Sequence, residues 1–347
     1  MANSFNAPYA DRINRLKEKV LTTYPEIDLE NARILTQSFH ETEGEVFVLR
    51  KAKAFRRQCQ EKTVEIWDDE LIVGNAGSKI RGGILSADVC WSVLDKELDT
   101  INTRPYDKFH LRPEDRKIFE EEIRPYWKGR SNYEAWLAQI PEDVAALRDN
   151  GALYIDKKAV RGWGEVTAGY EWFIKNGVNG IVKLVEAQKA GLDATRPGDY
   201  EKEAYLDSLL VVAEGMLTLA ERYALEADRL ASAEKDPARR RELRKIAEIC
   251  RHVPAQPACT FHEALQSFYF YQIFLFMEQN AAAYNPGRMD QYLYPYYKAD
   301  HDAGRITPEE AQELLDCLWV KFSEQCLFQD GKSAEYSSGY PMFQNLC

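Results

Sequence analysis

Residues 284–297 read YNPGRMDQYLYPYY, and this stretch says more about the fold than any other in the chain. Pro286 and Gly287 end the helix that precedes them, because proline lacks a backbone donor and glycine readily adopts turn conformations. The dense tyrosines that follow indicate buried packing in which each hydroxyl needs a hydrogen-bond partner. Arg288 and Asp290 are predicted to form a structural ion pair within that core. The composition alone therefore indicates a structural role for this stretch.

Three segments outside this stretch carry the signature of a helix N-terminus. Ser131, Thr260 and Thr307 are each followed three residues later by a glutamate. In such a capping box the hydroxyl accepts a hydrogen bond from a backbone amide, and the glutamate reaches back to the capping residue. Pro308 suits the first helical position, where its missing N–H is not needed.

Helical periodicity dominates the rest of the chain. The clearest amphipathic stripe comprises Leu206, Leu209, Leu210, Ala213, Leu217, Ala220 and Ala224, and it implies a partner surface on one side. Further helices are predicted at residues 8–22, 29–40, 44–60, 114–124, 166–188, 234–250, 262–278 and 308–324. Strand signals are sparse, with candidates only at residues 70–73 and 340–347.

Composition and charge exclude several classes of protein. The 347 residues are 45% hydrophobic and 29% charged, which is typical of a globular protein. The net charge of −11, with no basic block, disfavours nucleic-acid binding. The longest apolar stretch, Phe268–Met277, is too short to span a bilayer, and the N-terminus lacks the pattern of a signal peptide. Seven widely spaced cysteines do not form a disulfide framework, so we expect a cytoplasmic protein without membrane or nucleic-acid partners.

Common catalytic and metal-binding motifs are missing from the sequence. None of the five histidines has HExxH spacing, and no two cysteines form a CxxC pair, so we predict no metal site. His262 and Glu263 are interpreted as surface or capping residues. Residues 74–79 (GNAGSK), with Gly82 and Gly83 following, resemble a phosphate-binding loop only loosely, because the spacing of a P-loop and its closing Lys-Ser/Thr are absent. We interpret this segment as a plain loop.

A second glycine-containing stretch, residues 161–165 (RGWGE), is a candidate ligand site. Its two glycines allow a ligand to approach the backbone closely. The Arg161 guanidinium could bind a carboxylate or sulfonate through two parallel hydrogen bonds. The Trp163 ring could form a wall of the pocket, and Glu165 could act as a hydrogen-bond acceptor or a base. The alternative is an ordinary loop in which Arg161 and Glu165 form a surface ion pair.

Five segments together resemble the glycyl radical enzymes, the family of pyruvate formate-lyase-like proteins. They occur in the expected order over nearly the whole chain, and the likeness is greatest to the glycerol and diol dehydratases and the hydroxysulfonate lyases. The segments are residues 42–44 (TEG), 49–54 (LRKAKA), 69–74 (DELIVG), 286–297 (PGRMDQYLYPYY) and 339–346 (GYPMFQNL).

The resemblance implies an α/β fold, a ten-stranded β/α barrel wrapped by helices, of which residues 1–347 would be the mainly helical N-terminal part. It also implies a glycyl radical, a catalytic cysteine in a Gly-Cys-x-Glu loop, and a separate activating enzyme with an iron–sulfur cluster and S-adenosylmethionine. None of the seven cysteines has the Gly-Cys-x-Glu context, and the glycine loop is also absent. We therefore assign no catalytic residue and no cofactor to this chain, and we expect it to be inactive alone.

For the substrate, the resemblance implies a small polar molecule whose C–O, C–S or C–N bond is cleaved by a radical lyase of anaerobic metabolism. The predicted substrate-binding residues are Arg161, Trp163, Glu165, Tyr284 and Asn285. The family also implies a homodimer for the full-length enzyme. Two alternatives stay open: a standalone helical binding or regulatory protein, and one subunit of a split glycyl radical enzyme.

Overall fold

The computed structural model describes residues 9–153, 160, 162, 164, 166–193, 195–281, 283–336, 338 and 339. Helices account for most of this part of the chain, and a π-helical turn, Phe119–Ile123, joins two of them. The helices are α1 (Ala10–Thr22), α2 (Glu30–Glu41), α3 (Phe47–Glu61), α4 (Ala87–Cys90), α5 (Ser92–Asp95), α6 (Pro113–Ile118), α7 (Arg124–Trp127), α8 (Asn132–Leu137), α9 (Glu142–Asp149), α10 (Tyr170–Ala190), α11 (Asp199–Ala233), α12 (Pro237–His252), α13 (Phe261–Glu278), α14 (Met289–Asp302), α15 (Pro308–Glu324) and α16 (Gly331–Tyr336).

A small parallel sheet lies among these helices. Strands β1 (Glu26–Asp28) and β2 (Gly82–Ile84) pair in parallel, with Ile27 opposite Gly83. Single parallel bridges extend the pairing on both sides, from β1 to His110 and from β2 to Cys326. Parallel strands joined by helical crossovers are typical of α/β folds, so this arrangement agrees with part of a barrel wrapped by helices.

The largest hydrophobic core cluster surrounds α13. This helix is apolar on nearly all sides, and its aromatic residues contact α10, α11 and α15. A second cluster packs around β1, α2 and the short helices α4 to α8. None of the described helices combines the length with the hydrophobicity that a bilayer-spanning segment requires. The fully buried aromatic side chains of α13 include Phe268, Tyr269, Phe270, Phe274 and Phe276.

The predicted capping boxes are confirmed. Ser131, Thr260 and Thr307 each accept a hydrogen bond from the backbone N–H of the glutamate three residues later, and the glutamate reaches back in every case. Pro308 occupies the first turn of α15. The amphipathic stripe belongs to α11, which packs closely on α3: a Cβ added at Gly215 would lie 2.9 Å from the Cα of Arg56.

The predicted strand at residues 70–73 is wrong. Its backbone groups bond to side chains of α13 rather than to a neighbouring strand. The Val73 N–H donates to Gln266 Oε1 at 2.9 Å, and Gln266 Nε2 donates back to the Val73 carbonyl at 2.8 Å. His262 Nε2 lies 2.9 Å from the Leu71 carbonyl oxygen. Because these side chains bond to its backbone groups, the apolar segment can be buried without pairing with a neighbouring β-strand.

The aromatic stretch at residues 284–297 is only partly buried. Tyr284, Tyr292 and Leu293 lie in the core, whereas Tyr294 is exposed. Arg288 and Asp290 do pair, at 3.2 Å, but both side chains are about two-thirds exposed, so the prediction that they lie within the core is wrong. Their position at the first turn of α14 turns both away from the α13 cluster. The second strand candidate, residues 340–347, lies outside the described residues.

Helix α10 is kinked at Gly177, whose φ is 65°. The loop that joins α12 to α13 fills the kink. The N–H of Val178 donates to the Pro254 carbonyl at 2.7 Å, and the N–H of Ala258 donates to the Ile174 carbonyl at 3.1 Å. A Cβ at Gly177 would lie 2.6 Å from the Gln256 backbone, so only glycine fits here.

Candidate substrate-binding site

The site forms where two extended segments run side by side. One comprises the described residues 162, 164 and 166. The other, which we call the Asn285 segment, is residues 279–287, of which Ala282 is not described. The Gly162 N–H donates to the Asn280 carbonyl at 3.1 Å. Val166 and Tyr284 form a parallel bridge, next to which the Asn285 N–H donates to the Val166 carbonyl at 2.9 Å. The pairing brings the second glycine-containing stretch, at residues 161–165, next to the aromatic stretch in the fold.

Backbone strain marks the Asn285 segment. Ala283 has a φ of 63°, in the left-handed region that L-residues other than glycine rarely adopt. Such a conformation costs about 1–2 kcal/mol and persists only where the surroundings impose it. The close approach of the two segments adds a second constraint, because a Cβ at Gly162 would lie 2.4 Å from that of Gln279. Strained backbone of this kind is concentrated at functional sites.

Tyr284 is held firmly in the wall of the site. Its ring is buried and meets Phe276 edge-on, with ring centroids 5.0 Å apart. Its carbonyl accepts a hydrogen bond from Gln272 Nε2 at 3.3 Å. Burial raises the pKa of the Tyr284 phenol, and the nearby Glu278 carboxylate raises it further. The phenol therefore stays protonated at neutral pH and is a potential hydrogen-bond donor.

Asn285 is held by its backbone but not by its side chain. The side-chain oxygen, Oδ1, is buried and has no hydrogen-bond partner among the described residues. Leaving a buried acceptor unpaired costs about 1–3 kcal/mol, so such atoms are uncommon in folded proteins. An acceptor in this position is suited to a hydroxyl or an amide N–H of a ligand.

A partly buried charge cluster lies at the start of the Asn285 segment, where α13 ends. Lys51 Nζ is 2.6 Å from Asp88 Oδ2 and 3.6 Å from Glu278 Oε1, and it also donates to the Glu278 carbonyl at 3.3 Å. Burial alone would lower the pKa of Lys51, but the two carboxylates outweigh it and raise that pKa. Burial likewise raises the pKa of Glu278 against the opposing effect of Lys51. Asp88 Oδ1 is buried and lacks a partner among the described residues.

The glycine-rich residues 74–79, which we call the Asp28 loop, have a different role. The Asp28 carboxylate at the end of β1 accepts hydrogen bonds from the N–H of Ser78 at 2.6 Å and of Lys79 at 3.1 Å, and from the Ser78 hydroxyl at 3.0 Å. A Cβ at Gly77 would lie 2.3 Å from Asp28 Oδ2. The loop therefore binds an anion, but that anion is a side chain of the same protein.

Comparison with known proteins decides the family. The model of the pyruvate formate lyase-like family matches residues 6–347. The chain belongs to this family. It is 38% identical over 322 residues to the isethionate sulfite-lyase of Desulfovibrio desulfuricans, covering 90% of this chain and 39% of that protein. It is 33% identical over 341 residues to the trans-4-hydroxy-L-proline dehydratase of Clostridioides difficile, covering 97% and 43% respectively.

A solved structure confirms the fold of this pyruvate formate lyase-like chain. The structure, described for 1,2-propanediol dehydration in Roseburia inulinivorans, superposes with a TM-score of 0.95 at 35% identity, over 99% of this chain and 43% of that one. The expected fold, a mainly helical part of a pyruvate formate-lyase-like barrel, is therefore confirmed. The chain spans about two-fifths of the length of the relatives it matches. The relatives are lyases and dehydratases, so the family is one of enzymes.

Six cysteines of this family member are described. Five of them are buried, and burial raises the pKa of the thiols, to about 12 for Cys317 and about 11 for Cys326. Cys259 is exposed, but it lies in the loop between α12 and α13. None of the six stands in the Gly-Cys-x-Glu context that the resemblance implies for the catalytic cysteine.

The five predicted substrate-binding residues divide into two groups. Arg161, Trp163 and Glu165 lie outside the described residues, although their neighbours Gly162 and Gly164 are described. Tyr284 and Asn285 lie together in the strained segment. Their role in binding a substrate stays a prediction.

Sequence reasoning did not find the cluster of Lys51, Asp88 and Glu278. No spacing could reveal it, because the lysine is 37 residues from one carboxylate and 227 from the other. Lys51 does fall within one of the segments that resemble the family, LRKAKA at 49–54. The family resemblance of this segment therefore includes Lys51 but does not indicate what the lysine does.

Proposed function

We propose that this chain forms the helical shell and one wall of the substrate pocket of a glycyl radical lyase or dehydratase. The substrate is a small polar molecule, and the bond cleaved is C–O, C–S or C–N. The names of the relatives support this class, since they include a sulfite-lyase and a dehydratase. The substrate chosen within that class depends on residues 161–165 together with the Asn285 segment.

The observation that carries the proposal is the buried Asn285 Oδ1, which lies in a strained segment and has no hydrogen-bond partner in the described part of the chain. Asn285 accepts a hydrogen bond from a substrate hydroxyl or amine, and Tyr284 forms the wall beside it. Arg161, Trp163 and Glu165 belong to the facing stretch of sequence, and we propose that they contribute side chains to the same pocket. Gly162 and Val166, the described residues next to them, are hydrogen-bonded to the Asn285 segment. An arginine in that position favours an anionic group on the substrate, such as a carboxylate or sulfonate.

The radical itself is supplied by sequence that this chain does not contain. In the complete enzyme, a glycyl radical installed by an activating enzyme with an iron–sulfur cluster and S-adenosylmethionine would supply the radical chemistry for hydrogen abstraction from the substrate. The complete enzyme is a homodimer. The chain described here binds and orients the substrate for that step, and alone it is inactive.

The first experiment reads the coding sequence beyond Cys347. We expect a Gly-Cys-x-Glu loop followed by a C-terminal glycine loop, in the same frame or in a partner gene. A stop codon with no partner gene that supplies these loops would overturn the proposal and favour a standalone binding protein.

The second experiment measures turnover of the complete enzyme after anaerobic activation, with isethionate, trans-4-hydroxy-L-proline and 1,2-propanediol as substrates. For whichever substrate reacts, Asn285→Ala should lower kcat/KM by about 10- to 100-fold, since a hydrogen bond to a polar substrate group is lost. Asn176→Ala is the matched control, because this partly exposed amide donates to the Trp172 carbonyl within its own helix, α10. Equal kinetics in both variants would remove Asn285 from the site.

A further inference from the structure

Beyond this function, we infer that the loop between α12 and α13 is a binding site for a single Zn²⁺ ion. The ligands are His252, Cys259, Glu263 and the carbonyl oxygen of Pro257. The fold brings three of these ligands together: His252 Nε2, Cys259 Sγ and a carboxylate oxygen of Glu263 all lie within 4.8 Å of one another. The sequence predicts no metal site here, because the spacing matches no zinc motif.

The distances between the donor atoms agree with a tetrahedral ion. His252 Nε2 is 3.7 Å from Cys259 Sγ, 3.9 Å from Glu263 Oε2 and 3.0 Å from the Pro257 carbonyl oxygen. The Cys259 Sγ is 3.7 Å from that same carbonyl oxygen. Zn–N and Zn–S bonds of about 2.0–2.3 Å place the corners of a tetrahedron about 3.3–3.8 Å apart. Four donor pairs therefore already stand near the required separation.

The donor types favour zinc over other ions. A thiolate, an imidazole and a carboxylate are the three side-chain ligands that Zn²⁺ binds in proteins, whereas Mg²⁺ and Ca²⁺ require oxygen ligands. In the metal-free loop the His252 ring contacts the Pro257 carbonyl as a hydrogen-bond donor through Nε2. Binding of the ion moves the Nε2 proton to Nδ1 of the same ring and releases the Cys259 thiol proton to solvent, so that Nε2 and Sγ are both free to coordinate.

The backbone orients the carboxylate ligand in advance. Glu263 Oε2 accepts hydrogen bonds from the N–H of Cys259 at 2.7 Å and of Thr260 at 3.1 Å, as part of the capping box of α13. Such outer hydrogen bonds fix the orientation of metal ligands and raise affinity. The Glu263 side chain is only 12% exposed, while His252 and Cys259 are open to solvent, so an ion can enter from one side.

A bound ion would tie together two helix ends and the loop that fills the kink of α10. His252 is the last residue of α12, and Glu263 lies in the first turn of α13. The loop between them donates and accepts the hydrogen bonds that hold Ile174, Val178 and Asn179 at the kink. The ion is therefore a structural clamp rather than part of the substrate site.

The test uses the 347-residue chain, titrated with Zn²⁺ in competition with a chromophoric chelator, and with Co²⁺ as a spectroscopic substitute. We expect one Zn²⁺ per chain and, with Co²⁺, a thiolate-to-metal charge-transfer band in the near ultraviolet. Cys259→Ser and His252→Gln should each weaken Zn²⁺ binding at least about tenfold, and Cys259→Ser should abolish the band. Glu263→Gln, which keeps an acceptor for the capping box, should weaken binding to a lesser degree.

The control variant is His301→Gln, which removes an imidazole on α14 and should bind Zn²⁺ like the wild type. Hydrogen exchange gives an independent measurement: Zn²⁺ should slow exchange of the Val178 and Ala258 amides in the wild type and not in Cys259→Ser. Absence of stoichiometric binding, binding that survives in both Cys259→Ser and His252→Gln, or bound Co²⁺ without a charge-transfer band would each overturn the inference.

Discussion

The Asp28 loop and the Asn285 segment are both irregular, both contain constrained backbone, and both contact buried polar groups. They differ in whether those polar groups are paired. In the Asp28 loop, the carboxylate of Asp28 accepts from Ser78 and Lys79, so donors and acceptor satisfy one another. In the Asn285 segment, Asn285 Oδ1 is buried and unpaired among the described residues, as is Asp88 Oδ1 in the neighbouring cluster.

Whether the buried polar groups are paired distinguishes a structural loop from a candidate binding segment better than amino-acid composition does. The Asp28 loop has the glycines and the lysine of a phosphate site, yet its anion is internal and no backbone donor of Ser78 or Lys79 is left for a ligand. The composition of the Asn285 segment indicates packing. Nevertheless, it contains an acceptor, Asn285 Oδ1, that no described residue pairs with, and an alanine with a positive φ. A ligand can supply the hydrogen bond that such an unpaired group lacks, and a constrained backbone holds the group in place for it.

The largest expected effect comes from breaking the Asp28 loop. Asp28→Asn keeps the shape of the side chain but removes its charge and directs an NH₂ group at backbone donors. We expect the free energy of unfolding in urea to fall by about 3–5 kcal/mol, because several hydrogen bonds to a buried charge are lost together.

The matched control for Asp28→Asn is Asp99→Asn, whose exposed carboxylate pairs with Arg116 at the surface. Such a surface pair contributes about 0–1 kcal/mol. Similar stabilities for the two variants would show that the Asp28 loop does not depend on its internal anion, and the comparison with the Asn285 segment would fail.

The second prediction concerns the segment that faces Asn285. In the complete enzyme, Arg161→Lys keeps the positive charge but loses the bidentate fork, and it should raise KM by about 10- to 100-fold, on the order of 1.5–3 kcal/mol. Steady-state kinetics of Arg161→Lys and Arg161→Ala measure this. Unchanged kinetics in both variants would return Arg161 and Glu165 to the alternative of a surface ion pair.

Local features of the fold were predictable from the sequence, and distant ones were not. The three capping boxes were found because a hydroxyl and a glutamate three residues apart satisfy each other within one turn. The strand at residues 70–73 was predicted wrongly because its hydrogen-bond partners, Gln266 and His262, come from a helix about 190 residues away. An apolar run does not reveal which groups will satisfy its backbone.

The candidate site shows the same limit. Tyr284 and Asn285 were proposed from a family resemblance, whereas their own composition indicated packing. The charge cluster depends on Lys51 meeting Asp88 and Glu278, which the sequence keeps far apart. Likewise the role of the Asp28 loop depends on one aspartate from β1, which no pattern within residues 74–79 could indicate.

A third prediction tests the strain in the Asn285 segment. Ala283→Gly relieves the positive φ, worth about 1–2 kcal/mol, but loses the buried methyl contact with Leu327 and makes the unfolded chain more flexible. We therefore expect the free energy of unfolding to stay within about 0.5 kcal/mol of wild type. In the control Ala187→Gly, at an exposed position inside α10, it should fall by about 1 kcal/mol. A loss of stability in Ala283→Gly at least as large as in the control would show that Ala283 is not strained.

The fourth prediction is a small pH dependence of stability that comes from Glu278. Because burial raises the pKa of Glu278, the folded chain binds a proton that the unfolded chain has already released. Glu278 therefore destabilises the fold progressively as the pH rises from the unfolded pKa of about 4.3 through the raised folded pKa. Glu278→Gln, which resembles the protonated form, should match wild type at acid pH and be more stable at neutral pH, by less than about 1 kcal/mol because the side chain is half-buried.

Urea unfolding of both proteins across this range measures the difference, with Glu248→Gln as the control for loss of an exposed carboxylate. If Glu278→Gln were the less stable protein at neutral pH, the Glu278 charge would be stabilising through Lys51, and the cluster would be a satisfied one like the Asp28 loop.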